Sequence, residues 1–264
     1  MIFSISKEGI RINQTVYINE LLKSANMDDC RPTATPMTTL SIPLKEDMHK
    51  KLTPLEAPKF RSLVGGILWL SLCTRPDISY AISKLGSQVS KPSENDQSII
   101  RRVLKYLKST MDKGLFFSYQ NTTDVKLIGY SDASYGTNNS RLSHYGYIFT
   151  WNGTPILWCS KRQKSASLST FEAELFGMAE AYKEALWLRI LLENFKIKFN
   201  SILIYEDNKI VISIAIGTDD HSTTKHIGFR KQFIQEITDT GSCFPFYIKS
   251  EFNTADMPTK PLAK

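Results

Sequence analysis

The sequence has no closely spaced pair of cysteines. Cys30, Cys73, Cys159 and Cys243 are scattered over 264 residues with no Cys-x-x-Cys step. That excludes a zinc ribbon and the dense disulfide framework of a small secreted domain, and it reads as four free thiols in a reducing compartment. The four histidines, at 49, 144, 221 and 226, form no His-Glu-x-x-His arrangement. The five-residue step from His221 to His226 lies in a polar segment and is weak as a metal signal. No stretch reaches the ~18 consecutive apolar residues of a membrane span. Met1-Ile2-Phe3-Ser4-Ile5-Ser6 has neither the basic nor the long apolar region of a secretory signal. A soluble, intracellular protein with no membrane partner is expected. Internal repeats and low-complexity tracts are missing as well.

What is present is ordinary for a globular chain: 42% apolar and 22% charged residues, in a length sufficient for one large domain or two modest ones. The formal charge of +7 suits a polyanionic partner. Many soluble proteins carry as much with no nucleic acid nearby, so charge alone leaves the two readings even.

The pattern changes character near Lys113-Gly114. Before it, residues 1–13 read as a hairpin around Lys7-Glu8-Gly9, and 15–25 as a helix with Tyr17, Ile18, Leu21 and Leu22 at helical spacing. The proline-bearing stretch 31–58 reads as loop. Three helices follow over 60–72, 77–89 and 94–107, broken at Pro76 and Pro92. Arg101, Arg102, Lys105 and Lys108 are interleaved with the apolar stripe of the third, and a solvated basic face is the plainer reading than phosphate contact. After the change, strands are expected at 115–119, 125–130, 145–151 and 155–159. Asn152-Gly153 makes a hairpin turn between the last two. A long helix over 170–195 is capped by Ser169 with Glu172. Ile202–Tyr205 reads as a central strand buried on both faces. A short helix, a helix at 224–239, a strand at 243–248 and a helical turn from Ala255 complete the chain. From residue 122 on, this order gives an α/β fold: a mixed five-stranded sheet flanked by helices, with the fourth strand parallel to the first.

Four acids sit where acids are costly or well placed. Asp132 follows the apolar run Leu127–Ser131, although a turn residue is its plainer reading. Glu174 shares a helix face with Met178, Ala181, Ala185 and Leu188, so it points toward the sheet or escapes to water in the first turn. Glu172 is explained by capping. Asp207 ends a central strand, where ligands gather in α/β sheets, but it could equally cap the next helix. Asp256 opens the last helical turn, where the helix dipole alone favours an acid. Meeting at one sheet edge, several carboxylates share a cleft only if cations hold them. Magnesium prefers a few carboxylates with waters and phosphate oxygens, and two such ions can drive phosphodiester hydrolysis.

At Gly129-Tyr130-Ser131-Asp132-Ala133, Ser160-Lys161-Arg162-Gln163-Lys164 and Leu168–Leu175 the chain resembles the ribonuclease H domain of copia-type LTR retrotransposon Pol polyproteins. Glu184–Leu188, Glu206-Asp207-Asn208, Thr224–Ile227 and Ala255–Leu262 continue the likeness in order and spacing. Tyr17-Ile18-x-x-Leu21-Leu22, Arg61–Gly65, Thr74–Ile78 and Arg102–Lys108 resemble the segment after the polymerase palm. The resemblance implies a smaller, mainly helical thumb- or connection-like region at 1–112 of the reverse transcriptase, followed by a ribonuclease H-like domain at 121–264. It implies hydrolysis of the RNA strand of an RNA–DNA hybrid. Asp132, Glu174, Asp207 and Asp256 would hold two Mg2+ ions, or Mn2+ in their place. Lys161, Arg162 and Lys164 are candidates for contacts to the nucleic-acid backbone, with a solvated basic loop as the plain alternative. The fingers and palm of the polyprotein are the implied upstream partner. The implied setting is the cytoplasm, in the virus-like particle of an intact element, or the nucleus.

The chain departs from the family in lacking Tyr-x-Asp-Asp, in Gly228 where aspartate is usual, and over residues 135–142. A transposase or integrase core also uses clustered acids, but its third acid comes late, whereas Glu174 follows the third strand. The remaining alternative is a non-catalytic or degenerate fragment that only binds template–primer.

Overall fold

The computed structural model describes residues 1–38, 50–119, 126–136, 142–197, 200–218 and 225–261. The chain divides into two compact units, Met1–Asn121 with Lys260–Lys264, and Thr122–Thr259. Of the segments named above, His49, His221, Thr224 and most of 135–142 fall outside the described residues.

In the first unit the expected hairpin is present as β1 (Ile2–Ile5) and β2 (Gly9–Asn13). A third strand, β3 (Gly114–Ser118), pairs antiparallel with β2. The strand expected at 115–119 therefore completes the sheet of the first unit. Gly114 permits this pairing, because a Cβ there would stand 2.1 Å from the Ile12 carbonyl oxygen. Four helices follow the hairpin in sequence: α1 (Thr15–Ser24), α2 (Glu56–Cys73), α3 (Ser79–Gly86) and α4 (Glu94–Ser109). α2 starts earlier than the proline-rich stretch suggests. Pro58 lies in its first turn, where the missing N–H would have had no helical partner. α4 opens on Ser93, whose hydroxyl accepts from the Asp96 amide while the Asp96 carboxylate accepts from the Ser93 amide. Ile18, Leu22, Ile67, Leu70, Ile82, Leu85, Ile100 and Leu104 fill the core between these helices.

Two of the α4 cations have local work. Arg102 donates to the Thr35 hydroxyl at 2.8 Å, and Lys108 donates to the Asp28 carbonyl. The backbone of Lys105 accepts from Thr33. Two cations of the stripe, Arg102 and Lys108, with the Lys105 carbonyl, thus fasten residues 28–35 along the helix.

Thr74-Arg75-Pro76-Asp77 explains itself in three dimensions. Arg75 is 1% exposed. Its guanidinium donates to Asp77 at 2.9 and 2.7 Å, and to the carbonyl and hydroxyl of Thr110 at 2.9 and 2.7 Å. The Tyr106 hydroxyl donates to the same Asp77 carboxylate at 2.7 Å, and the Thr74 hydroxyl donates to Gln14 at 2.7 Å. One buried cation therefore ties the corner between α2 and α3 to the end of α4. Burying charge is costly unless every donor finds a partner, and removing one member leaves the others stranded.

The second unit holds the five-stranded mixed sheet. Its strands are β4 (Leu127–Ser134), β5 (His144–Trp151), β6 (Thr154–Arg162), β7 (Ile202–Glu206) and β8 (Cys243–Tyr247), in the order β6-β5-β4-β7-β8. The first three are antiparallel, and β7 runs parallel to both β4 and β8. Asn152 and Gly153 turn the β5–β6 hairpin with φ of 48° and 86°, as a two-residue turn that follows strand twist requires. Helices α5 (Thr170–Asn194), α6 (Lys209–Ala215) and α7 (Lys225–Asp239) accompany the sheet. Phe149, Met178, Tyr182, Ala185, Ile204, Ile214 and Ile234 form their common core. Gly129 makes room for Phe149, since a Cβ there would stand 2.7 Å from its ring.

β7 differs from the expected strand buried on both faces. Ile202, Ile204 and Glu206 are buried, whereas Leu203 and Tyr205 are half-buried on the other face. There Tyr130, Tyr205 and Phe246 form a row across β4, β7 and β8, with ring centroids 5.4 and 6.2 Å apart. The final helical turn is a 3-10 turn, Thr254–Asp256.

Arg75→Ala is expected to cost about 3–5 kcal/mol of stability, as when one partner of a buried pair is removed. Urea unfolding of the full chain measures it. A loss within the roughly 0.5 kcal/mol of an ordinary surface change would show that the network is dispensable.

Candidate metal centre

Three of the four acids singled out in the sequence come together. Asp132, Glu174 and Asp207 each offer a carboxylate oxygen, and these oxygens lie within 4.8 Å of one another. The fold delivers them from three elements: Asp132 late in β4, Glu174 in the first turns of α5, and Asp207 directly after β7. The parallel β4–β7 pair brings two strand ends to one edge, and α5 lays its N-terminal turns over them. Asp256 is half-buried on its 3-10 turn and stands outside the group of three.

Each acid is aimed by a donor. The amide of Ala133 donates to Glu174 Oε2 at 2.6 Å. The Thr259 hydroxyl donates to Asp132, and the Ser250 hydroxyl donates to Asp207. The plainer readings of these acids therefore give way. Glu174 is buried and turned to the sheet rather than to water. The cap of α6 is Asn208, whose side chain accepts from the amides of Ile210 and Val211, which leaves Asp207 free of that duty. Ser169 caps α5 as expected, accepting from the Glu172 amide, while the Glu172 carboxylate accepts from the Leu168 amide at 2.7 Å, one residue before the Ser169 amide that a capping box would use.

Electrostatics marks the site as incomplete by itself. Burial pushes the Glu174 carboxyl from its ordinary 4.5 up to about 11, and repulsion from Glu206, Asp132 and Asp207 adds to the shift. The Ala133 amide opposes it only in part. Glu206 is likewise pushed well up, first by burial and then by Asp132 and Asp207, against the hydrogen bonds from Ser131 and Asn208. Hard oxygen donors alone, crowded and mutually repelling, are the set a magnesium-type cation prefers. The residues present fit a divalent ion held by Asp132, Glu174 and Asp207.

Lys161 and Arg162 are exposed at the end of β6, and Lys164 is exposed just beyond. In register, Asp132 faces Gly146, which faces Ser160, so Lys161 stands one row on from Asp132. It is two strands away, about 10 Å at normal strand spacing. Between these cations Gln163 is buried and works inward. Its amide donates to the Ala173 carbonyl at 3.0 Å and accepts from Ser167 at 2.6 Å, holding the residue before Glu174.

Sequence reasoning missed Gln163, Glu206, Asn253 and Thr259. Glu206 had a signal, because it alternates with Ile202 and Ile204 and must share their inward face. Asn253 and Thr259 had none, since their partners lie more than 120 residues away. Asn253 donates to the Ser131 carbonyl at 2.9 Å and, with Thr259, fastens the Asp256 turn beside Asp132. Gly228 has open space around its missing Cβ, so nothing in the packing calls for glycine there.

No family model matches the chain. Among curated proteins it is similar to the retrovirus-related Pol polyprotein from transposon TNT 1-94 of Nicotiana tabacum, 33% identical over 258 residues, covering 94% of this chain and 19% of that protein. It is also similar to the Pol polyprotein from transposon RE2 of Arabidopsis thaliana, 32% identical over 259 residues, covering 97% of this chain and 17% of that protein. The chain thus spans about a fifth of the length of these relatives. Among solved structures, a foamy viral protease–reverse transcriptase in complex with dsDNA matches 95% of this chain and 45% of its own, with a TM-score of 0.54 at 12% identity. At that identity the likeness concerns the fold. The sheet order and strand directions of the second unit are ribonuclease H-like.

A carboxyl whose proton affinity is raised by folding gives stability that falls as pH rises. The unfolded chain releases that proton near 4.5, the folded chain keeps it to about 11, and between these values the folded state binds more protons. In chelator, the melting temperature of the wild type is therefore expected to fall between pH 5 and pH 8. Glu174→Gln, neutral at every pH and still able to accept from Ala133, should fall less steeply. Equal slopes for the two proteins in thermal melts would show that Glu174 is not held protonated.

Proposed function

Because the chain belongs to the copia-type retrotransposon Pol family, we propose that its second unit hydrolyses the RNA strand of RNA–DNA hybrids during reverse transcription. The observation that carries this reading is the meeting of Asp132, Glu174 and Asp207 within a single ion's reach. Asp132, Glu174 and Asp207 would hold the divalent ions, magnesium or manganese in its place, which would supply an activated water and stabilise the leaving oxygen of a phosphodiester. The chain's own residues do the rest. Ala133, Thr259 and Ser250 hold the three carboxylates in place before substrate arrives. Asp256, on the turn fastened to β4 by Asn253, serves as a fourth, outer acid. Lys161, Arg162 and Lys164 contact phosphates of the hybrid on the β6 side. Recognition of RNA rests on its 2′-hydroxyls and on groove shape rather than on bases.

The first unit, Met1–Asn121, is proposed as the thumb- or connection-like part of the reverse transcriptase, following the fingers and palm in the polyprotein. Its work is to grip template–primer, in keeping with the 17 Lys and Arg against 11 Asp and Glu over residues 1–121. The setting is the cytoplasmic particle of the element or the nucleus.

Incubation with a hybrid labelled on its RNA strand tests the reading. Magnesium-dependent cleavage of the RNA is expected, lost in chelator, and slowed at least about 100-fold by Asp132→Asn, the scale on which preorganised electrostatic groups act. Binding of the hybrid without any cleavage by the wild type would mark a non-catalytic fragment. Replacing Lys161, Arg162 and Lys164 together by Ala should flatten the dependence of log affinity on log salt by about 0.9 for each phosphate no longer neutralised on a B-form-like duplex. An unchanged slope would make them a solvated face.

A further inference from the structure

Glu206 is fully buried, ends β7 and directly precedes Asp207, yet it is not one of the three acids that converge. Its inward neighbours on the strand, Ile202 and Ile204, are apolar, and an apolar side chain would satisfy the core at no desolvation cost. What Glu206 does instead is make three bonds. Oε2 accepts from the Ser131 hydroxyl at 2.6 Å, and Oε1 accepts from the amides of Asp207 and Asn208 at 3.2 Å each.

Ser131 immediately precedes Asp132, so both anchor points adjoin a metal acid. The ladder makes the placement telling. The parallel pairing of β4 with β7 runs from Ile128–Leu203 to Tyr130–Tyr205 and stops there. Ser131 and Glu206 are the next residues on each strand. Beyond this point no backbone pairing between β4 and β7 sets the distance separating Asp132 and Asp207, and the Glu206 side chain takes over the link. The Ser131 carbonyl is held from the other side by Asn253, itself buried.

We infer that Glu206 is a positioning residue, which fixes the separation of Asp132 and Asp207 by clamping Ser131 to the turn at 207–208. The inference rests on the reading of those acids as ligands of a divalent cation. It requires that the bonds of Glu206, rather than its charge, do the work. Glu206→Gln keeps an oxygen for the two amides and offers an amide hydrogen to the Ser131 oxygen. Glu206→Leu keeps the volume and removes every bond. Ser131→Ala removes one of the three.

Manganese titration of the full chain, followed by electron paramagnetic resonance of the free ion, reads the effect without any need for catalysis. Loss of a partner that orients metal ligands lowers affinity by about 10- to 100-fold. A rise of that size in Kd is expected for Glu206→Leu, a smaller rise for Ser131→Ala, and near wild-type affinity for Glu206→Gln. Melting in chelator should show Glu206→Leu folded and no less stable than wild type. A folded Glu206→Leu that binds manganese like the wild type would overturn the inference, as would Glu206→Gln losing as much as Glu206→Leu. If Glu206→Leu does not fold, wild-type affinity in Ser131→Ala overturns it. A wild type that binds no manganese removes the metal centre and this inference together, whereas unchanged variants of a binding wild type remove this inference alone.

Discussion

Carboxylates repel one another, and they repel most strongly where water is excluded. The second unit packs Asp132, Glu174, Asp207 and Glu206 around one sheet edge, with Glu206 fully buried. Unrelieved, such a group would splay the strands or stay protonated, and the proton affinity of Glu174 and Glu206 is raised first by burial and further by that repulsion. The surrounding structure answers with donors: an amide for Glu174, hydroxyls for Asp132 and Asp207, and a hydroxyl and two amides for Glu206. Those donors come from β4, from the turn after β7 and from the 250–259 segment. The segment after the last strand is thus fastened to β4 because the acids need it there.

The first unit solves a related problem with a cation. Arg75 is enclosed and fully partnered by Asp77 and Thr110 under the ring of Tyr106. Neither network is a stability device in the sense of an apolar core, since ionic groups of this kind are often replaceable by hydrophobic ones without loss. Their common effect is to fix geometry: a helix corner in one unit, the spacing of acids in the other.

Much of this was legible in the sequence. Period-two and period-3.6 patterns placed nearly every strand and helix, and the cap of α5 followed from Ser169, whereas the Ser93 cap of α4 emerged only in the structure. Glu174 was visible as an acid on an apolar stripe. What was not legible depended on distant partners. In the sequence β3 falls between the two regions, 1–112 and 121–264, because nothing local says that it will return more than 100 residues to pair with β2. The work of Gln163 was masked by the cations on either side of it. Thr259 and Asn253 look like loop residues until the chain brings them to β4. Asp256, which resemblance groups with the other acids, sits on a short turn that keeps it outside the group of three.

On the proposed reading the acids crowd one cation site whose occupancy offsets their repulsion. Thermal melts of the wild type and Asp132→Asn, in chelator and in magnesium, bear on it most directly. An ion that binds only the folded chain stabilises it by RT ln(1 + [L]/Kd), about 2.7 kcal/mol at roughly 100 times Kd. Asp132→Asn is expected to melt no lower than the wild type in chelator and to lose most of the magnesium shift. A variant that melts lower in chelator while keeping the full magnesium shift would contradict it.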